Sequence, residues 1–190
     1  MVNTGRRERR KLETRRKLDE VALRLFLKHG YDGVTVAQIA EEADISVATL
    51  FAHVPDGKDA LIFDNGSERR AGIVAAVRDR DEPILAALHR FFAARGPYST
   101  DIPPEHAPKR DLIVHTPALR EYARRLWHSC EPDLTTALAD ESGLSPDDPA
   151  VRALARFVLE IPDLTGTAPD PAAALASVFA LLESGWPPRT

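Results

Sequence analysis

Apolar positions along this chain recur at three- and four-residue steps in one segment after another, and no segment alternates as a strand would. Leu18, Val21, Ala22, Leu25 and Phe26 form the first stripe, which predicts a helix over about 11–29, stopped by Gly30. A shorter pattern follows. Val36, Ile39, Ala40 and Ala43 share one face of a helix that Thr35 can cap by accepting from the Gln38 backbone N–H, while Gln38 reaches back to the Thr35 N–H. Asp44 stands where the chain must turn. Ser46 then offers a second cap, with Leu50 turned toward the core, and Val34 with Ile39, and Ile45 with Leu50, are placed as hydrophobic staples.

Beyond the Pro55-Asp56-Gly57 turn, a helix carrying Lys58 in its first turn is expected to continue, past an interruption at Asp64-Asn65-Gly66-Ser67, to about Arg80. The remainder reads as helices punctuated by proline. Pro83 opens a segment with Leu85, Leu88, Phe91 and Phe92, and 96–108, with four prolines, reads as a loop with part of a short helix. Thr116-Pro117, Ser145-Pro146 and Asp170-Pro171 each join a capping residue to a proline suited to a first helical position, and Pro132 is expected to kink or break the helix before it. The last two helices are expected to end near Ile161-Pro162 and Ser184-Gly185. This is an all-α fold class.

Charge changes the picture. The 190-residue chain carries a net charge of −4, which by itself argues against a polyanionic partner. In residues 1–17, however, Arg6, Arg7, Arg9, Arg10, Lys11, Arg15, Arg16 and Lys17 face only Glu8 and Glu13, leaving +6 there and −10 elsewhere. Residues 1–10 lack apolar periodicity and are expected to form a flexible basic arm, long enough when extended to lay arginines along phosphates or into a minor groove.

Cys130 has no second cysteine to pair with, and His106, His115 and His128 lack zinc-ligand spacing, so no metal site and no cofactor are expected. A lone thiol fits a cytoplasmic location. Runs such as 73–77 are too short to span a bilayer, and no membrane partner is expected. His89, His115 and His128 have acids nearby, but no phosphate loop, nucleophile elbow or metal motif anchors a catalytic scheme; no catalytic residue is assigned and an enzyme is not expected.

The stretch 35–53 alone is compatible with a capped helical hairpin or with a DNA-reading helix-turn-helix. Its flanks separate the two. Val34-Thr35, Ile39-Ala40, Ala43, Ile45-Ser46, Thr49-Leu50-Phe51, His53, Lys58 and Leu61 together resemble the DNA-binding domain of TetR-type transcriptional regulators. Three positions depart from that pattern: Asp44 stands where glycine is usual, Phe51 replaces a tyrosine, and Asp56-Gly57 makes the approach to Lys58 one residue longer.

The resemblance implies a helix-turn-helix domain with its basic arm over 1–64 and a larger helical effector-binding and dimerisation domain over 65–190. It implies double-stranded DNA and a small-molecule effector as partners, and a homodimer through the last two helices. The function implied is a repressor released by its effector from an inverted-repeat operator. A helical interaction module with a degenerate DNA-binding domain is the alternative.

The DNA-binding set is Thr35, Val36, Ala37, Ser46, Val47, Ala48, Thr49, Phe51, His53 and Lys58. Val47, Ala48 and Thr49 suit thymine methyls. Thr35, His53 and Lys58 suit phosphates, and no Arg, Asn or Gln on the second helix offers bidentate readout. No residue is assigned to the effector.

Overall fold

The computed structural model describes residues 3–63, 66–99 and 103–185. Among these there are ten α-helices and no strand. The first five are α1 (Asn3–His29), α2 (Val36–Glu42), α3 (Val47–His53), α4 (Ser67–Arg78) and α5 (Ile84–Ala93). The others are α6 (Ala107–His115), α7 (Pro117–His128), α8 (Glu131–Ser142), α9 (Pro149–Thr165) and α10 (Pro171–Ser184). Short 3₁₀ turns occupy Lys58–Ile62 and Gly96–Tyr98. Packing divides the chain into two compact units, Met1–Asp64 with Glu105–Leu119, and Asn65–Pro104 with Arg120–Thr190.

The first unit is built on α1, against which α2, α3, the 58–62 turn and α6 pack. Leu18, Ala22 and Phe26 of α1 meet Ile39 and Ala40 of α2, Ala43 at its C-cap, Leu50 and Val54 around α3, and Leu61 and Ile62, all at 1% exposure or less. α1 begins at Asn3, eight residues before the start its apolar stripe suggested. The described part of the expected arm, from Asn3 on, is therefore helix and not extended chain. The reason is compositional: Arg, Lys, Glu and Leu are strong helix formers, and Arg9, Glu13 and Lys17 follow one another at four-residue spacing. An α-helix rises about 1.5 Å per residue, so its reach is less than half that of an extended arm.

The link from Lys58 onward also differs from expectation. Phe63 is extended, Gly66 is left-handed at φ 76°, and α4 starts afresh at Ser67; Asp64 and Asn65 lie outside the described residues.

The second unit packs α4, α5 and α7–α10 around Ile73, Val77, Leu88, Phe92, Leu134, Val158, Leu159, Leu175 and Phe179. Pro132 falls in the first turn of α8, so the chain breaks there and restarts. Asp170 caps α10 by accepting from Ala173 N–H at 2.9 Å, as its sequence suggests. The start of α9 is a correction. The cap is Asp148, which accepts from Ala150 N–H at 2.8 Å, with Pro149 following, while Ser145 Oγ holds only the Asp147 N–H of the preceding turn. α9 also runs past Pro162 to Thr165, because a proline one turn from the end forfeits a single internal bond.

Candidate nucleic-acid interface

Two side-chain caps shape the site, the first of them reciprocal. Thr35 Oγ1 accepts from Gln38 N–H at 3.2 Å, and Gln38 Oε1 accepts from Thr35 N–H at 2.8 Å, closing a capping box on α2. Ser46 Oγ accepts from Thr49 N–H at 3.0 Å and lies 2.8 Å from the Thr49 hydroxyl. Between the caps the turn is a Schellman motif: Ile45 N–H donates to Ala40 O and Asp44 N–H to Glu41 O, each at 3.0 Å. Asp44 occupies its left-handed position at φ 57°, the one described non-glycine residue with positive φ. Aspartate tolerates this conformation better than most residues, which explains how the turn survives without glycine.

α3 is anchored by Leu50 at 0% exposure, so its remaining surface faces outward. Val47 is 41% and Phe51 45% exposed, an unusual display of apolar side chains on a seven-residue helix, and Ala48, Thr49 and Ala52 are exposed beside them. Thr35, Ala37 and Ser46 are exposed too, with Val36 half-buried. His53 is half-buried at the end of α3, and its Nδ1 is covered with no hydrogen-bond partner. Nine of the ten sequence-predicted residues thus gather on or beside the two helices.

Lys58, the tenth, turns its side chain toward the α1–α2 connection. Its ammonium donates to Tyr31 O at 2.9 Å and Val34 O at 3.0 Å, and sits 4.0 Å from the Tyr31 ring centroid. Gly57, at φ 81°, turns the chain so that Lys58 folds back over the α1–α2 connection. The Tyr31 hydroxyl donates to Asp59, and burial together with that bond raises its pKa well above the ordinary phenol range.

Arg10 belongs to the basic arm expected to reach phosphates, whereas Lys11 and Thr14 were expected only as the start of α1. In the structure Glu8, Arg10, Lys11 and Thr14 of α1 line a groove of about 450 Å³ with Ala52 and His53 of α3. The four-residue spacing of helix-forming residues was the available signal.

The histidines once weighed for catalysis have separate surroundings. His128 Nε2 lies 2.7 Å from Glu160, which also accepts from Arg124 at 3.1 Å; His89 packs on Phe179; and the His115 ring bonds to Asp111 O of its own helix. Among the described residues no cluster of His, Cys, Asp and Glu could hold a metal ion, and no helix is long and apolar enough to cross a membrane.

A capped pair of short helices, joined by a Schellman turn and presenting an exposed small-residue face, defines a helix-turn-helix DNA-binding protein. Residues 20–64 match the model for bacterial regulatory proteins of the tetR family. The chain is 32% identical over 152 residues to the HTH-type transcriptional regulator TcmR of Streptomyces glaucescens, covering 76% of this chain and 67% of that protein. It shares its fold with FadR of Thermus thermophilus, a TetR family transcriptional repressor solved in complex with lauroyl-CoA. That likeness has a TM-score of 0.56 at 22% identity, over 93% of this chain and 96% of FadR. The chain belongs to the TetR family of DNA-binding transcriptional regulators.

Proposed function

We propose that this regulator is a homodimeric repressor that reads an inverted-repeat operator with α3 and is released by a small-molecule effector bound in its helical body. The observation that carries the reading is the outward face of α3, where Val47 and Phe51 are exposed around a fully buried Leu50. Val47, Ala48 and the Thr49 methyl suit thymine methyls, while Thr35, Val36, Ala37, Ser46, Phe51 and His53 flank them along the backbone. With no bidentate side chain on α3, groove shape carries a large share of the specificity.

Dimerisation through α9 and α10 is supported by what those helices leave uncovered. Ala172, Ala173, Ala176 and Ala180 are exposed on α10, with Val178, Leu181 and Leu182 half-buried beside them. Two copies would present two α3 helices to an operator of matching symmetry. In sequence, 1–64 serves DNA and 65–190 serves the effector and the dimer, with α6 packed on α1 inside the first unit. FadR, of the same fold, is complexed with lauroyl-CoA, which supports a small-molecule effector here. Effector and DNA must then weaken each other's binding reciprocally. A cytoplasmic location and the absence of catalysis complete the reading.

The test is a selection of random duplex oligonucleotides by the purified chain at moderate salt. Recovery of an inverted repeat is expected. A folded, dimeric protein that retains no motif would overturn operator binding and favour an interaction module.

A further inference from the structure

The face that α3 turns outward is apolar along its length. Val47 and Phe51 stand one turn apart on it, as do Ala48 and Ala52, and all four are exposed around the fully buried Leu50. Thr49 adds a methyl at the edge of that patch. Its hydroxyl lies 2.8 Å from Ser46 Oγ, which also accepts from Thr49 N–H, so the two hydroxyls keep a single hydrogen for any other partner. A hydroxyl bonds to donor and acceptor edges alike, and by itself it sorts no base pair. His53, the remaining polar side chain of α3, is half-buried at its far end.

What such a face can distinguish is limited by what the major groove shows it. Base pairs differ there in their donors and acceptors, and a side chain must engage two of these at once to tell one pair from the rest. The one apolar group on an ordinary base edge is the C5 methyl of thymine. Cytosine methylated at C5 carries the same group at the same ring position. It differs from thymine by a donor at N4 in place of an acceptor at O4, and α3 has no bidentate side chain to read that exchange.

Resting on the DNA-binding reading, we propose that α3 reads the C5 methyl of pyrimidines rather than the identity of the base pair, through Val47, Ala48 and the Thr49 methyl, and so accepts 5-methylcytosine where it accepts thymine. Methylation then turns a poorly bound cytosine-containing half-site into a bound one. Occupancy of a site answers to cytosine methylation as well as to sequence.

The experiment titrates the full chain with a duplex recovered by selection and with altered copies of it. Thymines are first replaced by deoxyuridine, one position at a time and in both half-sites, which removes the methyl and keeps every hydrogen-bonding group. The T·A pair with the largest effect is then changed to C·G or to 5-methyl-C·G. Burying one methyl against apolar side chains is worth about three- to fivefold, and an inverted repeat presents each position twice, so deoxyuridine at a contacted position should weaken binding about ten- to twenty-five-fold. The slope of log K against log salt should stay unchanged, since no phosphate contact is lost. The 5-methyl-C·G duplex should bind within about threefold of the thymine duplex, and the C·G duplex about as weakly as the deoxyuridine one.

The Val47→Ala, Thr49→Ser double variant trims the methyls and keeps the hydroxyl that meets Ser46. Both positions are exposed on the helix, so folding is retained. The deoxyuridine penalty should fall below about twofold at one or more positions in this variant.

Selected half-sites without thymine, or a deoxyuridine penalty below about twofold at every position, would overturn methyl reading while leaving operator binding intact. Equal weakness of the C·G and 5-methyl-C·G duplexes would overturn it too, by marking hydrogen bonds to the thymine pair. So would a penalty that survives at every position in the double variant, which would mark duplex deformability instead. Failure of the natural chain to bind any duplex would sink the DNA-binding reading itself, and methyl reading with it.

Discussion

Replacing Lys58 with methionine keeps the aliphatic stem and removes only the ammonium, so the variant isolates what that charge does. In the structure it donates to Tyr31 O and Val34 O at 2.9 and 3.0 Å and lies over the Tyr31 ring. These contacts clamp the connection between α1 and α2 onto the start of the 58–62 turn, and so set the angle at which α2 leaves α1. Each bond from a charged donor contributes about 1.5–3 kcal/mol, and half-burial places both near the lower end. The ring contact adds roughly 0.5–1 kcal/mol, and methionine and lysine lose similar side-chain entropy on ordering.

The expected loss is therefore about 3.5–4 kcal/mol, or about 7–16 °C in melting temperature for a chain of this size. Thermal unfolding followed by circular dichroism reads the first quantity. Titration with operator duplex at several salt concentrations reads a second, and there the affinity should fall with its salt slope unchanged. A phosphate-contacting lysine behaves in the opposite way. Stability within about 0.5 kcal/mol of the natural protein, together with a slope reduced by about 0.9 per half-site, would refute the inward clamp.

Three further outcomes are expected. Asp44→Gly should stabilise the fold by about 0.5–1 kcal/mol, since glycine takes the left-handed position of the Schellman turn without strain; an unchanged or lower melting temperature would contradict this. Asp19 has its pKa raised from 3.8 to about 6, chiefly by burial, against the opposing pull of Arg15 at 2.8 Å and of Lys109. A raised folded-state pKa means that the folded form binds the proton more tightly, so this group costs stability above about pH 6 and that cost disappears as pH falls toward 3.8. Asp19→Asn should then gain about 1 kcal/mol at neutral pH, a figure discounted because the carboxylate is 36% exposed, and lose that advantage near pH 4; a variant-to-natural difference independent of pH would exclude the effect. Phe51→Tyr restores a hydroxyl on an exposed ring and should raise operator affinity about three- to tenfold with no change in salt slope, because a neutral donor displaces no counterion. Weaker binding would show that Phe51 does not face the backbone.

What the sequence made readable was whatever is decided within about four residues. The Thr35–Gln38 box, the Ser46 cap, the left-handed Asp44 and the Asp170-Pro171 start all depend on neighbours along the chain, and all stand as the residue types suggest. The start of α9 failed because two cap–proline pairs lie three residues apart and both meet the local rule. The choice falls to Asp148-Pro149, whose helix puts Val151, Ala155, Val158 and Leu159 into the core. Of α6 only part of a short helix within 96–108 was expected, because it is short, begins beside Pro108 and buries no residue completely. Lys58 was out of reach in principle. Its partners are carbonyls 24 and 27 residues away, exposed to it only once the α1–α2 connection has folded.

That inward turn bears on where binding energy for DNA can come from. The recognition face of α3 is apolar, so it discriminates by shape and methyl contact and contributes little attraction to a polyanion. The hydroxyls nearest to it are already engaged, Thr35 with Gln38 and Ser46 with Thr49. Arg24 of α1 is drawn to Glu42 of α2 at 2.9 Å, and Lys58 to backbone carbonyls. Phosphate neutralisation nonetheless supplies most of the affinity in protein–DNA complexes. The positive charge concentrated in residues 1–17 is where that attraction would have to come from, and α1, helical from Asn3, lines a groove with Ala52 and His53 of α3 through Arg10 and Lys11.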